Sequence, residues 1–382
     1  MAKKTTTKSV DKMVQAPKGF ALEEALRSHF SSQRVFALRS LPFRLEGDDV
    51  TDIDLWLYES PGSTSRRRSI VDIKYKKSPQ AAERLIWTKG LQTALGLETA
   101  LVATTDRRPA TNRLARTLKV GLIDFMPFQK MVEGLSADQA TIGQTGFEAL
   151  VREADVSRRV NDWKDHVFGL KSALLTNLGF GSANRALIAI GTLYEDAIIT
   201  PSNSERALIA ARLIYFSAAC AAVSMDYALS EFAFRSRDER TRIVENGLRF
   251  GGEVNTALAR VRAAASLIEK YVPDGRSMAK RVELGFLSEA EALPAQIIAE
   301  YVTRGSPNEV LFDPALKLLE GAFAREVPAF DELPTNAKAL ISVFIDFVGG
   351  SREKFARLWI ARTHQSPSPA SGELPLGNPT PS

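Results

Sequence analysis

One cysteine, Cys220, stands in 382 residues, so no intramolecular disulfide can form. Its setting, Ser217-Ala218-Ala219-Cys220-Ala221-Ala222, reads as a small apolar core position rather than a nucleophile. Histidine is equally scarce. His29, His166 and His364 fall in different predicted elements, and no Cys/His cluster has the spacing of a zinc site. A Gly-x-Ser-x-Gly elbow, a phosphate-cradling Gly-rich loop and a dinucleotide fingerprint are all missing, which argues against those hydrolase, NTPase and oxidoreductase classes. The longest apolar run, near residues 213–223, is too short to span a bilayer. The Lys/Thr-rich N-terminus lacks the apolar segment of a signal peptide. A cytoplasmic protein with no membrane partner is the expectation.

What is present is an uneven charge. Residues 1–130 hold 23 Lys+Arg against 14 Asp+Glu, and the remainder 27 against 31. A basic first third suits a polyanion such as nucleic acid. Within that third, Thr51-Asp52-Ile53-Asp54-Leu55-Trp56-Leu57 and Ser69-Ile70-Val71-Asp72-Ile73-Lys74-Tyr75 alternate apolar and polar residues. Period two is the mark of a half-buried strand. Paired as a hairpin, these strands can gather Asp54, Asp72 and Lys74 on one side of a sheet. Two carboxylates beside an apolar core repel each other unless a cation joins them. A hard divalent metal with oxygen ligands is the natural occupant.

Taken in order, residues 1–18 read as a flexible basic arm. Residues 19–30 have helical spacing, with Glu23 on the border of the apolar face. Strands are expected at 35–45, at the two acidic segments, at 98–105 and at 120–125, and helices at 81–95 and 111–118. Helix, three strands, helix, strand, helix, strand implies an α/β domain with a mixed sheet over 19–130. The linking loop carries Arg66, Arg67 and Arg68, expected beside the acidic site. From about residue 147 the spacing turns helical, with helices expected near 147–177, 183–197, 204–234, 237–271, 276–302, 308–326 and 333–361. Residues 131–364 therefore read as an all-helical oligomerisation or partner-docking domain, and 365–382 as a disordered Ser/Pro tail.

The Glu23 helix, the Thr51-Asp52-Ile53-Asp54 strand and the Asp72-Ile73-Lys74 strand resemble the PD-(D/E)xK nuclease superfamily, with its restriction-endonuclease-like fold. The nearest flavour is the Mrr-like or Holliday-junction-resolvase-like branch. Leu101-Val102-Ala103-Thr104-Thr105 and Leu122-Ile123-Asp124 stand where that branch has a buried strand and a closing strand. The resemblance covers about residues 19–130. It implies that Asp54 is the central metal ligand and Asp72 the second, with the Ile73 carbonyl assisting. It implies that Lys74 orients or deprotonates the attacking water, and that Glu23 contacts a metal or its water. Asp52 stands as an alternative ligand, and Gln92 as a counterpart of a glutamine found on the following helix in some branches.

The implied activity is hydrolysis of DNA phosphodiesters with Mg2+, for which Mn2+ can substitute. Arg66, Arg67, Arg68, Lys76, Lys77, Arg107 and Arg108 are the expected phosphate contacts, which position a substrate but read no bases. No recognition helix or zinc finger is visible, so little sequence specificity is expected, and RNA remains an alternative substrate. Such an enzyme needs a controller. A homo-oligomer or an activating protein partner is expected, as in effector nucleases of anti-phage systems. The rival reading is a catalytically silent nuclease fold that binds nucleic acid or acts as a scaffold through its helices.

Overall fold

A computed structural model describes residues 18–73, 80–124, 126–127, 141–155, 163–202 and 204–360. The expected arm and tail lie outside them, apart from Lys18, as do Lys74, Lys76 and Lys77.

The chain opens with α1 (Lys18–Ser32), then β1 (Phe36–Leu45), β2 (Asp48–Glu59) and β3 (Arg67–Ile73). It continues through α2 (Ala81–Ala94), β4 (Thr99–Thr104), α3 (Pro109–Leu118) and β5 (Gly121–Asp124). The five strands lie in sequence order. β1–β2 and β2–β3 are antiparallel, whereas β3–β4 and β4–β5 are parallel. Parallel neighbours need a crossover, and α2 and α3 supply the two. The expected mixed sheet with flanking helices is therefore present.

Alternation sorts the strands onto two faces. Leu55, Leu57, Val71, Ile73 and Ala103 pack with Leu22 and Leu26 of α1. Trp56, Tyr58, Ile70, Ala100 and Val102 pack on the other side with Leu85 of α2 and Ala115 of α3. The alternation slips at Ser40, whose φ of 53° is left-handed. Beyond it, Leu41 and its cross-strand partner Ile53 join the α2-side cluster. Ser40 falls between the Arg39–Leu55 and Leu41–Ile53 pairs, directly across from Asp54. Such irregularities re-aim side chains.

The rest of the described chain is mostly helical: α4 (Gly143–Asp155), α5 (Trp163–Thr176), α6 (Phe180–Ile199), α7 (Glu205–Ser230), α8 (Arg237–Phe250), α9 (Val254–Tyr271) and α10 (Gly275–Ala292), followed by α11 (Ala295–Val302), α12 (Asp313–Phe323), α13 (Thr335–Phe347) and the short α14 (Arg352–Ala356). α7 is long and apolar enough to cross a membrane, but it is apolar all round because it is the core, with 94% of its most apolar stretch buried. Among the described residues three expected helices are split, the one expected over 333–361 dividing into α13 and α14. Gly251, with φ of 74°, ends α8, and Pro294 separates α10 from α11.

The change of composition near residue 130 is not a break in packing. One apolar cluster joins Phe36, Trp56 and Tyr58 of the sheet to Phe147, Phe216, Ala222 and Phe323 of the helices. Polar ties cross the same boundary. Tyr58 Oη donates to Asp226 Oδ2 on α7 at 2.6 Å, and Arg66 Nε donates to the same oxygen at 2.6 Å. Asn308 Nδ2 donates to the Ser60 carbonyl at 3.2 Å. At Arg39 of β1, the main-chain N–H donates to Gln144 Oε1 at 2.6 Å, and Gln144 Nε2 donates back to the Arg39 carbonyl. The side-chain amide on α4 thus completes the backbone pairing of an edge strand.

Candidate metal centre at the end of β2 and β3

The β2–β3 ladder runs from Glu59–Arg67 to Leu55–Val71. One step further sets Asp54 opposite Asp72. At that point the regular pairing stops, and the Asp54 carboxylate takes over. Its Oδ2 accepts from the Ile73 main-chain N–H at 2.7 Å. This pins Asp54 onto the strand that carries Asp72. Asp72 is 7% exposed, and burial of a carboxylate demands a partner. Arg84, at the end of the first turn of α2, provides it. Arg84 Nε donates to Asp72 Oδ2 at 2.7 Å, and the same guanidinium also engages Oδ1. The pair is a fork on a fork. Burial lowers the Arg84 pKa, opposed by the charge of Asp54. Arg84 therefore feels both carboxylates.

Arg84 is the residue that sequence reasoning missed. A signal existed: the first turn of a helix favours acids, because its free N–H groups carry partial positive charge. An arginine there needs an outside anion.

β3, β4 and β5 are parallel, so Asp72, Thr104 and Asp124 mark one end of the sheet. Open α/β sheets bind ligands at the carboxyl ends of their strands. Arg107 and Arg108 stand at that end with exposed side chains, paired to Asp124 at 2.5 Å and Asp106 at 2.6 Å. Asp106 titrates well below the usual carboxylate range, held there by hydrogen bonds from Arg108 and Thr111 against the effect of burial.

The arginines of the β2–β3 loop correct an expectation. Arg67 and Arg68 pair with Glu59 and Tyr58, at the opposite end of β3 from Asp72, on the order of 15 Å away at ~3.3 Å per residue. A hairpin loop and the open ends of its strands cannot coincide. Arg66 is also no surface residue: its side chain and that of Asp226 are 2% and 0% exposed. Arg68 is committed to Glu98 and lies over the Tyr227 ring. Arg67 is half exposed and pairs with Glu59 at 3.2 Å.

Two further expected site residues have partners of their own. Glu23 meets Arg39 Nε at 3.2 Å, on the α1 side of the sheet, whereas Arg84 approaches Asp72 from the α2 side. Gln92 is buried and donates to the carbonyls of Leu97 and Glu98 at 3.2 and 3.1 Å. It closes the turn from α2 into β4 and does not reach Asp72. Asp52 is exposed and lines a cavity of about 240 Å3 with Ser40, Glu148, Lys164 and Lys171.

Among the described residues no group of three or more His, Cys, Asp or Glu converges to hold a metal. The donors present still suit Mg2+, which takes one or two carboxylates and keeps water in its other positions. The Arg84 guanidinium on both Asp72 oxygens shows that this pocket accepts a cation. Asp54 and Asp72 are the residues that would hold the metal.

No protein-family model matches the chain, and neither a curated protein nor a solved structure does.

Proposed function

We propose that the chain is a metal-dependent nuclease of the PD-(D/E)xK type that cuts DNA with little sequence specificity. The observation that carries this reading is the pairing of Asp54 with the β3 backbone beside the buried Asp72, at the carboxyl end of a mixed sheet. The order of helices and strands from α1 to β5 supports it. A divalent cation bound there supplies an acidified water and charge stabilisation for the phosphate. Asp54 and Asp72 would hold the cation, and the Ile73 N–H fixes the Asp54 rotamer. Lys74, outside the described residues, is the position that the resemblance assigns to activating the water. Exposed Arg107 and Arg108 are the phosphate contacts best suited by location. An activating partner or self-association through the helices, as in an antiviral defence effector, would supply the control that base readout does not.

The test is cleavage of supercoiled plasmid and of RNA by the full chain, with Mg2+ or Mn2+ and with chelator. Nicking that depends on metal is expected. Asp54→Asn and Asp72→Asn should each lower it by on the order of a hundredfold or more, the scale of losing one stabilising group at a reaction centre. Undiminished cutting by Asp72→Asn overturns the reading.

A second reading has one observation in its favour: both Asp72 oxygens are engaged by Arg84. A nuclease fold locked this way binds nucleic acid without turnover. Metal binding separates the two, since the locked fold takes up no Mn2+ at Asp72.

A further inference from the structure

We propose that Arg84 is an exchangeable counter-ion that competes with the divalent metal for Asp72 and so sets the metal affinity of the site. This rests on the nuclease reading above.

The geometry carries it. Both Asp72 oxygens face one guanidinium, which spans them with two donors. A metal reaching Asp72 meets the same lone pairs, so the two cations exclude each other there. The pairing is strong because it is charge-assisted, bidentate and largely shielded from water. Arg84 is nonetheless able to leave. Its side chain is about a quarter exposed, against 8% for that of Asp72, so one partner is fixed and the other has a path to solvent. Asp72 is held in a strand by its main-chain pairing with Val102. Arg84 reaches it from a helix on a long, flexible stem.

The contact also answers a stability problem. Without a cation, Asp54 and Asp72 are acids set opposite each other near the sheet core. Arg84 offsets that repulsion in the metal-free protein. A divalent ion carries twice the charge and replaces it. The released guanidinium stays at the carboxyl end of β3, the same sheet end as Arg107 and Arg108. A planar, permanently charged donor of this kind suits a phosphate oxygen. The site then has a resting form closed by its own arginine and a loaded form in which that arginine faces substrate.

The experiment is calorimetric titration of Mn2+ alone into the full chain, with thermal melting as the second readout. Arg84→Gln should bind Mn2+ roughly tenfold more tightly than wild type, or better, since a charge-assisted bidentate contact no longer has to be broken. Arg84→Lys should fall between them, because an ammonium is a point donor that does not span both oxygens. Without metal, Arg84→Gln should melt below wild type, and Mn2+ should restore the loss by mass action. If Arg84→Gln does not fold, Arg84→Lys against wild type gives the same comparison.

Equal or weaker Mn2+ binding by both Arg84 variants, with Asp72→Asn still abolishing binding, overturns the competition and leaves the metal site standing. Mn2+ binding that survives Asp72→Asn, or is absent from every folded variant, removes the metal site and the competition with it.

Discussion

Lys171 sits on the apolar stripe of α5 beside Trp163, Val167, Leu170 and Leu174, with its side chain only 3% exposed. Burial lowers its pKa, and Glu148 opposes the shift from 2.6 Å away. Burial likewise resists ionisation of Glu148, but Lys171 and Gln144 outweigh it, and the carboxyl titrates below its ordinary value of 4.5. Its folded value is depressed, so its stabilising share is complete above 4.5 and is lost as pH falls through the folded value. Glu148→Gln should cost about 2 kcal/mol at pH 7, less than a fully buried pair because the Glu148 side chain keeps 36% of its surface in water. The deficit should shrink below pH 4.5, where wild type loses the same interaction. Urea midpoints of both proteins between pH 3.5 and 7 check this; a constant gap would refute it. A lysine on an apolar stripe was visible in the sequence, but its partner, 23 positions away on another helix, was not.

At the scale of elements, what was local was legible. The strands 98–105 and 120–125 and the helices 81–95 and 111–118 match β4, β5, α2 and α3 closely, because their periodicity lies within each segment. The acidic strands pair antiparallel as expected, but Ile53 joins the Trp56 side of the sheet and not the side of Leu55 and Leu57, because the alternation slips. The loop arginines were misjudged for a geometric reason: their position follows from which end of the hairpin is closed, not from their charge. Helix docking depends on close approaches that composition hides. Gly247 of α8 lies against the Phe180 ring at the start of α6, with no room for a Cβ. Gly247→Ala should destabilise by about 1 kcal/mol net. Displacing the ring costs about 1–3 kcal/mol, and the gain in helix propensity returns about 1. Gly285 of α10 faces open space, and Gly285→Ala should stabilise by up to about 1 kcal/mol. Thermal melts of the two variants should move in opposite directions.

For the whole molecule, the sheet and the helices fold together. Phe36, Trp56 and Tyr58 are fully buried, and Phe312 packs on the Tyr58 ring at 5.9 Å. A chain cut at residue 130 would expose these aromatics and strand Arg66 without Asp226. The fragment 1–130 should show no cooperative thermal transition and poor amide dispersion in NMR spectra, while the full chain unfolds in one step. A folded, dispersed fragment would disprove the shared core. The sequence could not reveal this, because the helical ring partners of Tyr58, Tyr227 and Phe312, lie 169 and 254 positions away. Tests of the proposed metal site therefore belong on the full chain.

The Gln144 amide at Arg39 has a consequence for how copies of this protein can meet. By answering both main-chain groups of Arg39 from a helix, it occupies the place where an incoming β-strand would dock. A foreign segment extending the sheet past β1 must first evict a buried glutamine and part α4 from the sheet. Fibril-like growth along that border is obstructed at this residue, and Gln144→Ala would reopen it.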